Sequence, residues 1–139
     1  MITFAPFLLA ASAAVILLLG LVHLLYTFHG PKLLPRDPEL QARMSEVSPV
    51  ITRETTMLRA WVGFNASHSF GAILFGAVYG YLSLLHSQFL FQSLFLSLLG
   101  LPLLAGYVFL AKRYWFSIPY RGILLATALY VSALLAAWV

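Results

Sequence analysis

In this strongly apolar chain, the side chains that could do chemistry are four histidines, a single asparagine, and a few arginines and tyrosines. There is no cysteine, so disulfides, a protein thiolate nucleophile and thiolate metal ligation are excluded. The densest polar run is Arg59, Trp61, Asn65, Ser67, His68 and Ser69. On a helix, Trp61, Asn65, His68 and Ala72 share one face, with Tyr79 further along. At about 1.5 Å per residue, Asn65 and His68 stand roughly 9 and 14 Å from Arg59 along the axis. A second set is His23, Tyr26, Thr27 and His29; His23 and Tyr26 are spaced to share a face. A third is Tyr114, Tyr120 and Arg121. Imidazole can bind metal, relay protons or hydrogen-bond a ligand. Arg121 suits either an anion or a snorkel toward lipid phosphate. His29 reads as interfacial and His86 as a turn residue.

The elements that carry these residues are set by hydropathy. Of 139 residues, 62% are hydrophobic and 9% charged, far below the roughly 25% charged of soluble chains. A domain this small could not hide that much apolar surface from water. Residues 1–31 carry no Asp, Glu, Lys or Arg, nor does the stretch from Ala60 to Ala111. A span needs about 20 apolar residues, so the long stretch is enough for two. The expected fold is all-α: an integral membrane four-helix bundle, a single transmembrane domain over residues 1–139. Its helices are placed at about 6–28, 52–85, 89–111 and 117–137. The first reads as retained rather than as a cleaved leader, because no positive region precedes it and its small residues come before the longest apolar run. Gly30-Pro31 ends it, His86-Ser87-Gln88 makes a turn, and Pro102 is a kink candidate in the third. Asp37-Pro38-Glu39 is a helix start, predicting a short helix over about 38–46 in the loop.

Charge placement predicts orientation. All four acids and five bases (Lys32, Arg36, Arg43, Arg53, Arg59) lie between the first two spans, and Lys112, Arg113 and Arg121 lie around the third connection. With four spans these loops share one side. The positive-inside rule makes it cytoplasmic and puts both termini on the non-cytoplasmic side. The expected setting is a bacterial inner (plasma) membrane with membrane lipids as partners. The net charge of +4 reflects topology; no basic run suits nucleic acid. Intramembrane polar residues usually face the protein interior. His23, His68, Asn65 and Arg121 are therefore expected to converge in the cytoplasmic half. Two small-residue stripes, Gly63-Ser67-Gly71 and Ala72-Gly76-Gly80, suggest that the second span packs on two sides, one of them against its own bundle and the other open to a second protomer.

The layout resembles the MAPEG superfamily, small four-span enzymes of eicosanoid and glutathione metabolism, with a sizeable cytoplasmic loop after the first helix. The residues that carry the resemblance are Leu58-Arg59-Ala60, Asn65 and Pro119-Tyr120-Arg121. The sequence departs from the family where His68 replaces a glutamate and where Arg59 stands six residues before Asn65 instead of four. The resemblance implies a lipophilic substrate and a thiol cosubstrate such as glutathione. Arg121 would stabilise the thiolate, Tyr114 or Tyr120 would donate a hydrogen bond, Arg53 or Arg59 would hold carboxylates, and Asn65, His68, His23 and Tyr26 would line the ligand site. It also implies a homo-oligomer, a trimer, with sites between protomers. Two other readings stand beside it. One is a non-enzymatic membrane subunit or small-molecule carrier. The other is a haem or metal protein using His23 and His68 as an axial pair, although no carboxylate lies in a span.

Overall fold

A computed structural model describes residues 4–138 and is all-helical, with no strand among them. The elements are α1 (Ala5–Phe28), α2 (Pro38–Glu46), α3 (Met57–Leu85), α4 (Ser87–Gln92), α5 (Leu94–Tyr114) and α6 (Ser117–Trp138). Four of them, α1, α3, α5 and α6, are long and apolar enough to cross a membrane. The shortest, α5, has 21 residues, or about 32 Å at 1.5 Å per residue, against a hydrocarbon core of about 30 Å. Only 28–33% of the most apolar stretch in each is buried. Leu18, Leu25, Leu74, Phe95, Phe109 and Leu135 all stand exposed, a surface that lipid solvates and water does not.

The boundaries depart from the pattern-based ones in two places, each for a local reason. The second span starts at Met57 and not near residue 52, because turn chemistry takes the preceding residues. Thr52 N–H donates to the Pro49 carbonyl, and Glu54 N–H to Thr52 Oγ1. Thr56 Oγ1 then receives Arg59 N–H at 3.4 Å and starts the helix. The third span is preceded by a separate short helix, α4, where one continuous helix from 89 was expected. Ser93 breaks the chain in an extended conformation, and its side chain accepts Leu96 N–H to cap α5. Pro102 lies inside α5, which continues through it. Gly30, with φ +82°, supplies the left-handed residue that terminates α1. In α2, Asp37 Oδ1 accepts Glu39 N–H at 2.9 Å with Pro38 in the first turn.

By contact the chain divides into two compact units, Met1–Leu19 with Ala72–Val139, and Gly20–Gly71. The first holds the hydrophobic core: Leu9, Ile16, Phe75, Tyr79, Leu104 and Tyr130 are central to it. Several of its buried hydroxyls donate to backbone carbonyls of other segments, which satisfies them away from water. Ser12 Oγ bonds Ala126 O at 2.7 Å, Tyr79 Oη bonds Leu96 O at 2.8 Å, and Tyr130 Oη bonds Ser97 O at 2.9 Å. Gly76 lies where a Cβ would sit 2.5 Å from Leu17 Cβ and 2.7 Å from the Ala13 carbonyl, so the Ala72-Gly76-Gly80 stripe is the contact face toward α1. Gly100 gives the same room to the Tyr130 ring. The other stripe, Gly63-Ser67-Gly71, is exposed.

The unit Gly20–Gly71 holds the end of α1, the connecting loop with α2, and the start of α3. Two bonds pin its loop to α3: Trp61 Nε1 donates to Leu33 O at 2.7 Å, and Met57 N donates to Val47 O at 2.8 Å.

Candidate functional site

Within the unit Gly20–Gly71, His23 on α1 meets Asn65 and His68 on α3. His23 Nε2 lies 3.0 Å from Asn65 Oδ1. The His23 and His68 rings meet edge to face, their centroids 5.3 Å apart at 88°. Asn65 Nδ2 donates to the Trp61 carbonyl one turn earlier, at 2.9 Å. That last bond decides the rest. A carbonyl can only accept, so the amide nitrogen must face Trp61 and the amide oxygen must face His23. His23 Nε2 must then carry the hydrogen and donate it. In the neutral ring, Nδ1 is left as the basic nitrogen. Asn65 thus sets the tautomer of His23 through the helix geometry of its own backbone.

The cluster is positioned by ordinary helix spacing. Trp61, Asn65 and His68 recur at four and three residues, which keeps them on one face. His23 and Thr27 are four apart on α1, and Thr27 Oγ1 returns its hydrogen to the His23 carbonyl at 2.8 Å. Ser69 Oγ likewise bonds the Asn65 carbonyl. Beside the cluster, Tyr26, Thr27, Leu33, Leu34, Trp61, Val62 and Asn65 line a cavity of about 10 Å³, the size of one water, with polar partners for it. Lys32 Nζ sits 4.1 Å above the Tyr26 ring. A larger apolar groove of about 420 Å³ runs along Leu21, Leu24, Leu25 and Phe28 with His29 and Phe70. Those α1 residues form the opposite stripe from His23, so the groove is not an extension of the histidine cluster.

Arg53 and Arg59 lie in this unit with exposed side chains. Tyr114, Tyr120 and Arg121 belong to the other unit. There Tyr114 is exposed at the last residue of α5, Arg121 is exposed in the second turn of α6, and Tyr120 packs half-buried against the core. His29 is exposed just past α1. His86 joins α3 to α4, its Nε2 3.1 Å from Tyr81 Oη. Among the described residues no three His, Asp or Glu side chains gather as a metal site would require. The two imidazoles of the cluster touch, with His23 Nε2 already engaged; a porphyrin between them would have to force the rings apart.

No family model, no curated protein and no solved structure matches this chain.

Sequence spacing pointed to His23, Asn65 and His68 but not to the Trp61–Leu33 bond that braces them. The available signal was the indole N–H itself, which needs an acceptor wherever the ring is lodged.

Proposed function

We propose that this integral membrane protein binds a small lipophilic molecule at the His23–Asn65–His68 cluster. The observation that carries the reading is the His23–Asn65 hydrogen bond joined to the Asn65–Trp61 bond. Two imidazoles and an amide inside membrane spans are costly, and such groups default to function. Here one of the imidazoles is also held in a single tautomer, with Nδ1 as its basic nitrogen. That nitrogen suits a ligand bearing a hydrogen-bond donor. Since the adjoining cavity takes only a water, binding requires the cluster to open or a second copy to complete it.

The most specific form of this reading is an enzyme of the MAPEG kind, with glutathione or another thiol as cosubstrate. Arg121 would lower the thiol pKa by placing a cation beside it. Tyr114 or Tyr120 would donate a hydrogen bond, and Arg53 or Arg59 would hold carboxylates. The exposed Gly63-Ser67-Gly71 stripe supports assembly as a homo-oligomer, a trimer in that family. The charged loops would face the cytoplasm of a bacterial inner membrane. A thermal shift of the detergent-purified protein on adding glutathione, absent in Arg121→Ala, is the expected result. No shift with any thiol removes the thiol reading. Mass spectrometry of small molecules retained by the native protein, lost in His68→Ala with its oligomer intact, tests ligand binding itself.

A second reading is a non-enzymatic subunit in which the cluster latches α1 to α3. It is favoured by the fact that both ends of the Asn65 amide are satisfied inside the protein. In that case alanine at Asn65 or His68 disrupts assembly, and no retained molecule is lost.

A further inference from the structure

The connection from α2 to α3 contains an apolar pair with nothing to cover it. Val47 O accepts Met57 N–H and closes the segment into a loop rooted on the first residue of α3. At its tip Thr52 N–H bonds Pro49 O, a β-turn whose central residues are Val50 and Ile51. Central turn positions usually hold Gly, Asn, Asp, Pro or Ser. Here they hold two β-branched apolar side chains, 108% and 91% exposed, more open than any other large hydrophobic residue among the described ones. No charged residue occurs from Val47 to Thr52, and Arg53 follows directly.

We infer that the Val50–Ile51 turn is an interfacial wedge that seats in the headgroup–acyl boundary of the bilayer. Three facts favour lipid over a protein partner. The turn is tethered within six residues of a membrane-spanning helix, so at under about 3.6 Å per residue it cannot reach far from the bilayer surface. Two side chains fall far short of the roughly 800 Å² per partner that a stable protein interface buries. The chain passes from this apolar tip straight to Arg53, the order of an interfacial segment with apolar residues in the boundary and a cation at the headgroups. The wedge would hold the loop, and with it the start of α3, against the membrane.

The absence of cysteine makes the test clean. Val50→Cys, and separately Ile51→Cys, would each carry an environment-sensitive fluorophore in full-length protein reconstituted into vesicles of mixed zwitterionic and anionic phospholipid. Ser45→Cys, exposed on α2, is the aqueous control. The expected result is blue-shifted emission at both turn positions relative to Ser45, quenched several-fold more by nitroxide on the lipid headgroup region than by aqueous iodide. Emission matching the control, with iodide quenching, overturns the wedge. Blue-shifted emission that lipid nitroxide does not quench also overturns it, because the pair would then be covered by protein. Retained thermal stability of the unlabelled variants, and agreement between two neighbouring positions, guards against a local misfolding artefact.

Discussion

Asn65 is held at both ends of its amide. Its nitrogen serves Trp61 and its oxygen serves His23, so either amide end can be lost separately from the other. Asn65→Leu removes both bonds and leaves the His23 Nε2 hydrogen without its acceptor. Hydrogen bonds between membrane helices average only about 0.6 kcal/mol, to which orphaning the half-buried His23 donor adds part of the about 1–3 kcal/mol that a fully buried donor costs. The expected loss is therefore about 1 kcal/mol or more in detergent denaturation. The tautomer gives a sharper readout. In ¹⁵N spectra the wild-type His23 ring should be protonated at Nε2, and in Asn65→Leu the two tautomers should mix. A wild-type ring protonated at Nδ1 alone would refute the assignment of the amide.

The close contact of α3 with α1 at Gly76 is made possible by the absence of a side chain. At Gly76 an added methyl would strike the Leu17 Cβ and the Ala13 backbone, neither of which can swing aside. Gly76→Ala should destabilise by about 1–3 kcal/mol, the range for overpacking a close contact. Gly63 on the same helix α3 has nothing within 4 Å of its would-be Cβ. In an isolated protomer Gly63→Ala should be neutral, or stabilising by up to about 1 kcal/mol through helix propensity. If a second copy packs on that stripe, Gly63→Leu should instead dissociate the oligomer in size-exclusion with light scattering. An unchanged mass for Gly63→Leu would remove the stripe from the interface. At the other end of the size scale, α2 depends on one cap. Asp37→Ala should cost about 1 kcal/mol locally and speed amide exchange over Glu39–Arg43, leaving the spans unaffected.

At the scale of the molecule, the governing fact is that apolar surface faces outward on all four spans. Lipid is the only solvent for such a surface, and the charge distribution then predicts which way the protein sits. Single cysteines at Ser45 and Gln88, both exposed, allow a direct check. A membrane-impermeant maleimide added to intact bacterial cells should label the Gln88 variant and spare the Ser45 variant, and inverted vesicles should reverse the pattern. Equal labelling of both sites from one side would reject the topology.

The chain alone indicates four helices long and apolar enough to span, where α1 ends and α2 begins, and which small-residue stripes are candidates for helix contacts. Each of these follows from local quantities: apolar run length, a Gly-Pro terminator at Gly30 and Pro31, an Asp-Pro-Glu start at Asp37. His23, Asn65 and His68 were also legible as candidates, because polar groups in a span usually face protein. Which nitrogen of His23 holds the hydrogen was not, since it depends on Trp61, Asn65 and His23 meeting in space across 42 residues of sequence. Nor was the break at Ser93, where a serine outcompetes a continuing helix, or the choice of one small stripe over the other as the contact with α1. Spacing reports which residues share a face. Only the packed helices decide what that face touches, because hydrogen bonds and close approach depend on the partner as much as on the residue itself.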